Sequence, residues 1–123
     1  MERNPVGWFE IYVQDMDRAR QFYEVVLGTA LAPLGPTEMQ MLAFPGGPDL
    51  PGSAGALVKA QGVASGGNSV MVYFSCADCA INGGRVAGAG GRVVRDKMSI
   101  GEYGFIVLAT DPDGNMFGLH SMA

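Results

Sequence analysis

The sequence predicts an α+β protein assembled from two copies of one βαβββ unit, and three observations carry that expectation. The stretch "GWFEIYVQD" alternates Trp8, Glu10 and Tyr12 with Phe9, Ile11 and Val13, the period of a strand with two unlike faces. Directly after it, Asp15 opens a helical stripe in which Ala19, Phe22, Tyr23, Val26 and Leu27 recur on one face until Gly28. The same order then returns 63 positions later, where "SVMVYFSCAD" sets Met71 and Asp78 in the places of Trp8 and Asp15.

Each element has its own local reason. Asp15 caps the first helix because a short acidic side chain accepts from the free N–H groups of the first turn, and Gly28 stops it because glycine takes left-handed angles without strain. Short strands are expected at 30–34, 39–44 and 55–60, with the Gly- and Pro-rich "PGGPDLPGS" between the last two. In the second unit a helix is expected from Cys79 to Ala89, closed by Gly90 and Gly91, followed by strands near 92–95, 104–110 and 115–121. Gly83, Gly84 and Gly88 each cost that helix roughly 1 kcal/mol relative to Ala, which makes it the weakest element. The run "DPDGN" at 111–115 reads as a tight turn, with Pro and Gly at positions of restricted or left-handed backbone. The units span about 6–62 and 67–122 of a single domain, which suits a chain of 123 residues.

Composition narrows the function. Hydrophobic residues make up 48% and charged ones 16%, with no apolar run near the roughly 18 residues that span a bilayer, so a soluble globular protein with no membrane partner is expected. The opening "MERNPVGW" carries no apolar signal core, and the expected location is cytoplasmic. A formal charge of −4 without a basic patch excludes nucleic acid as the expected partner. Cys76 and Cys79 form a lone "CADC" with no further ligands and no thioredoxin-like setting, so they read as ordinary reduced thiols. The 19 glycines contain no G-x-G-x-x-G or Walker pattern and read as turn formers.

Taken together, "VQDMDRARQFYEVVLG", "YFSCAD", "AGAGGRVV" and "TDPDGNMFGLH" resemble the vicinal oxygen chelate superfamily, which includes glyoxalase I, bleomycin resistance proteins and extradiol dioxygenases. The resemblance covers essentially the whole chain. It implies a U-shaped, partly open barrel with the helices outside, around a cavity in which the enzymes of the superfamily hold a divalent metal. It places the two ligand histidines on Trp8 and Met71 and the closing glutamate on Gly118, with that glutamate's counterpart inside "GALVKA". None of these offers a carboxylate or imidazole. A catalytic metal needs about three N or O protein ligands, so neither metal nor other cofactor is expected.

By strand alternation Trp8, Glu10, Tyr12, Met71, Tyr73, Ser75, Gly118 and His120 share the former ligands' face, with Tyr103 at its lip. Lys59 joins them if Leu57 is the first-module ligand position. An apolar and aromatic wall with a few polar groups is how small-molecule sites are built, although Trp8 and Met71 equally suit plain filling of the space. The expected function is metal-free binding of a small organic ligand, aromatic or cationic. One alternative is a metal-independent lyase or isomerase with Glu10 or His120 as acid-base group. The other is a glyoxalase or dioxygenase whose metal site is rebuilt from Glu10, His120 and Tyr73. A homodimer is expected, with modules paired within a chain or across two. Two polar pairs are expected in the cavity, Glu10 with Lys59 and Tyr73 with His120, the first keeping ionised a carboxylate that burial would otherwise protonate.

Overall fold

The structure, a computed structural model, describes residues 4, 6, 8–35, 39–47, 49–67 and 70–123. Gly7 and Ser69, at the starts of two expected strands, and Pro48, in the expected loop, lie outside them. The first half runs β1 (Trp8–Tyr12), α1 (Met16–Leu27), β2 (Ala32–Pro33), β3 (Gln40–Ala43) and β4 (Ala54–Lys59). The second runs β5 (Tyr73–Ser75), α2 (Cys79–Val86), β6 (Arg92–Ser99), β7 (Phe105–Thr110) and β8 (Met116–Ser121), with a 3-10 turn at Gly101–Tyr103. The βαβββ order therefore occurs twice, as the sequence predicts. The sheets are ordered β1-β4-β3-β2 and β5-β8-β7-β6, and in each the first and last strands of the module are parallel neighbours. No strand pair among the described residues joins the two sheets, which stay open.

Local chemistry sets the helices. The Asp15 carboxylate accepts from the Arg18 N–H at 3.1 Å, and Gly28, at φ 67°, sends its own N–H to the Glu24 carbonyl at 3.0 Å. Between these caps Met16, Ala19, Phe22, Tyr23 and Val26 are buried, and each large side chain so buried contributes roughly 1.5–3 kcal/mol. The second helix stops at Val86 rather than Ala89, because Ala89 and Gly91 both turn back to donate to the Val86 carbonyl, at 3.2 and 2.9 Å. Gly83 lets this helix lie close on its sheet: a Cβ there would sit 3.2 Å from Val107 Cγ1. Strand β6 runs four residues past its expected end, with register irregularities around Arg95. Its polar "RDKMS" has no alternation to announce a strand.

Both sheets turn their helix-bearing faces into one hydrophobic core. Phe9, Ile11 and Leu57 from the first module meet Phe74, Val107, Phe117 and Leu119 from the second, with Tyr23 and Phe44 between them. Phe44 packs 5.5 Å from both Phe9 and Phe74, and Tyr23 lies 5.6 Å from Phe117. A polar seam accompanies these rings. The buried Asp111 carboxylate accepts from the backbone N–H groups of Asp113 and Asn115, from Asn115 Nδ2 (each 2.9 Å) and from the Tyr23 hydroxyl at 2.8 Å. Asn115 also donates to the Tyr12 carbonyl at 3.0 Å and accepts from the Gly66 N–H at 2.7 Å, while Arg18 on α1 pairs with Asp113. The closing turn thus fastens β1, α1 and the segment between the modules. With the helix faces merged, the opposite sheet faces carry Trp8, Glu10 and Tyr12 in one module and Tyr73, Ser75 and His120 in the other. Trp8 is 43% and Tyr73 48% exposed.

Candidate functional site

Strand β1 projects Trp8, Glu10 and Tyr12 from one face, two residues apart, so their side chains stand side by side. Trp8 Nε1 donates to Glu10 Oε2 at 3.0 Å, and the Tyr12 hydroxyl donates to Glu10 Oε1 at 2.6 Å. The Tyr12 bond, followed by the Trp8 bond, holds the Glu10 carboxyl below its ordinary pKa, and the same contact raises that of Tyr12. Glu10 is therefore an exposed carboxylate, ionised at neutral pH, clamped between two aromatic donors. Beside it lies a cavity of about 170 Å³, lined by Glu10 and Tyr12 together with Ile11, Val70, Val72 and Met116.

The register corrects both expected polar pairs. Trp8 lies opposite Ala54, Glu10 opposite Ala56 and Tyr12 opposite Val58. Lys59 falls beyond these pairs, exposed at the end of β4 and on the face of Leu57, because one residue's slip in a strand reverses every side chain. Glu10 forms no ion pair among the described residues; its partners are the aromatic neighbours that flank it. In the second sheet Tyr73 lies opposite Gly118, and His120 lies opposite Ser75. Tyr73 and His120 share a face but are not paired. His120 Nε2 donates instead to the carbonyl of Tyr103 at 2.6 Å, at the end of the exposed 3-10 turn. Met71 sits just before β5, half-buried, and Ser75 is exposed.

Gly118 has a definite occupant above it. The ring of Tyr73 sits over the glycine, so that a Cβ at 118 would collide with Tyr73 Cγ, Cδ1 and Cε1. The first module repeats the device on its core side, where Phe9 covers Gly55. By the same symmetry Ala56, not Leu57, stands in Gly118's place in the first sheet. These groups do not fit a divalent metal: an indole, a thioether, an alanine and a ring-covered glycine supply no hard donors. Among the described residues no three His, Cys, Asp or Glu side chains converge.

Sequence reasoning passed over Tyr23, Asp111 and Asn115. The first reads as core by periodicity and the other two as turn residues, and only the fold shows that they share a buried network. The thiols are free. Cys79 is fully buried, and burial, then the neighbouring Cys79, raise the pKa of Cys76.

Comparison with known proteins agrees with this architecture. The chain is similar over all its length to TnmS3, an antibiotic binding protein from a Streptomyces species, with 24% identity, 99% of that chain covered and a TM-score of 0.70. A glyoxalase I mutant from Zea mays matches at 22% identity and TM-score 0.76, with 96% of this chain covering 46% of that one. A glyoxalase-related enzyme from Fulvimarina pelagi matches at 20% identity and TM-score 0.69, covering 97% of this chain and 88% of that one. No match is found among curated proteins. The sequence pattern of one family fits residues 6–119, and with the repeated βαβββ fold it establishes that the chain belongs to the glyoxalase/bleomycin resistance protein/dioxygenase superfamily.

Proposed function

We propose that this chain is a metal-independent binding protein that takes a small organic ligand on the helix-free faces of its sheets. The carrying observation is at Gly118, where the superfamily resemblance puts a ligand glutamate and the ring of Tyr73 lies instead. Trp8 at a histidine position gives the same message, an exposed aromatic surface in place of a metal donor. The likeness to an antibiotic binding protein over both full lengths supports this reading. A second copy of the chain would complete the site, since Trp8, Val70, Tyr73 and Tyr103 leave large apolar surfaces uncovered in one copy, at 43, 70, 48 and 68% exposure. A lyase or isomerase has less support: a carboxylate held below its ordinary pKa is a weak base and is already deprotonated as an acid.

Two measurements test the proposal. Elemental analysis of the purified protein should give far less than one equivalent of Ni, Zn, Fe or Mn per chain. A thermal-shift screen of aromatic and heterocyclic small molecules should yield stabilising compounds whose effect is lost in Tyr73→Ala and Trp8→Ala. One firmly held metal per chain, removable together with an activity, would overturn it.

A further inference from the structure

We propose that the Trp8–Glu10–Tyr12 face and its adjoining cavity bind an organic monocation, with an apolar or single-ring body in the cavity and a protonated or quaternary amine against Glu10. This rests on the reading of the helix-free face as a small-molecule site and names the chemistry of its ligand.

Three observations converge. First, the charge of Glu10 meets no cation among the described residues. Its two hydrogen bonds among the described residues come from neutral donors, and the described ion pairs of the molecule, Arg18 with Asp113 and Lys97 with Asp78, lie elsewhere. The cavity lining contains no Lys, Arg or His. Second, the two rings beside Glu10 are of the kinds that attract cations most strongly, and a cation over an indole or phenol face gains roughly 0.5–2 kcal/mol according to its desolvation. Donating N–H and O–H groups to a carboxylate also pushes electron density into those rings, which strengthens their attraction for positive charge. Third, the space is small and apolar on its far side. A volume of about 170 Å³ is close to that of a cavity known to accept one benzene ring, with Ile11, Val70, Val72 and Met116 among its walls beside Tyr23 and the Asn115 amide, whose polar groups are engaged in the Asp111 network. The site therefore offers the Glu10 carboxylate and the Tyr12 ring at the cavity, with Trp8 hydrogen-bonded to Glu10 beside it and a largely apolar seat within.

The test uses three soluble probes of similar size: benzyltrimethylammonium (cation), N,N-dimethylbenzamide (neutral) and benzoate (anion). Trp8 is the only tryptophan in the chain, so its emission reports directly on the site, with calorimetry as a second readout. The expected result is saturable binding of benzyltrimethylammonium at least about tenfold tighter than of the amide, with benzoate weaker still. Glu10→Gln should bring the cation down to the level of the amide. If all three bind alike and Glu10→Gln changes nothing, the cation proposal fails while small-molecule binding at this face stands. Preference for benzoate also overturns it. If none perturbs Trp8 or gives heat, the cation proposal falls together with the reading beneath it. The comparison among probes uses the unaltered protein and does not depend on how the variant folds.

Discussion

At the scale of single residues, two contacts carry most of what can be tested. The first is the Glu10 clamp. Its carboxyl is held below the ordinary value of 4.5 by the Tyr12 and Trp8 donors, so its favourable contribution is complete at neutral pH and is lost as pH falls through the depressed folded-state pKa. Trp8 emission should accordingly change with a midpoint below 4.5 while the far-UV circular dichroism is constant. Glu10→Gln should flatten that transition; a midpoint at or above the ordinary value would contradict the clamp. The second contact is the seat of Tyr73 on Gly118. Gly118→Ala should cost about 1–3 kcal/mol through overpacking, and the cost should shrink in a Tyr73→Ala background, as a double-mutant cycle in urea would show. Equal costs in both backgrounds would mean that the ring does not rest there. The resemblance assigned Trp8, Met71 and Gly118 to ligand positions from the sequence alone. What replaced the chemistry was not legible there, because a ring lying across a neighbouring strand depends on register, and register leaves only a weak trace in sequence where glycine and alanine line a strand.

At the scale of elements, helix α2 shows how one residue type can serve opposite ends. Gly83 faces Val107 at a distance that a methyl group would crowd, whereas Gly84 faces open space at an ordinary negative φ. Gly84→Ala should therefore stabilise the protein by up to about 1 kcal/mol, raising Tm by roughly 3–5 °C, while Gly83→Ala should gain less or lose. A destabilising Gly84→Ala would show that the helix face is not free. The glycine count announced a weak helix but could not say which glycine is required, since the difference lies in what packs above each. Caps were far easier to read. Asp15, Gly28 and Asp78 act within a few residues of themselves, and the structure finds each where the local pattern puts it. Strand β6 was the reverse case, longer than its pattern because pairing with β7, rather than its own side chains, extends it.

At the scale of the whole molecule, the Asp111 network is the joint between halves. Asp111→Ala would strip the acceptor from the buried Tyr23 hydroxyl and from Asn115 and should cost about 3 kcal/mol or more, since each buried donor left unpaired costs about 1–3 kcal/mol. Tyr23→Phe, which removes only one donor, should cost about 1 kcal/mol. Denaturant midpoints would rank the two, and an unchanged midpoint in Asp111→Ala would show that the joint carries no stability. The doubled module was legible because its spacing of 63 is written directly in the sequence. The merging of both helix faces into one core was not, because each module's apolar stripe would look the same whether it met its own sheet alone or a neighbour's as well. That merged core has a bearing on how the protein is made. Phe22 and Tyr23 are synthesised before the Phe117 ring against which both pack, which lies on β8. A growing chain halted before Met116 should therefore expose its first helix to added protease, and the same helix should become resistant only after β8 has cleared the ribosome.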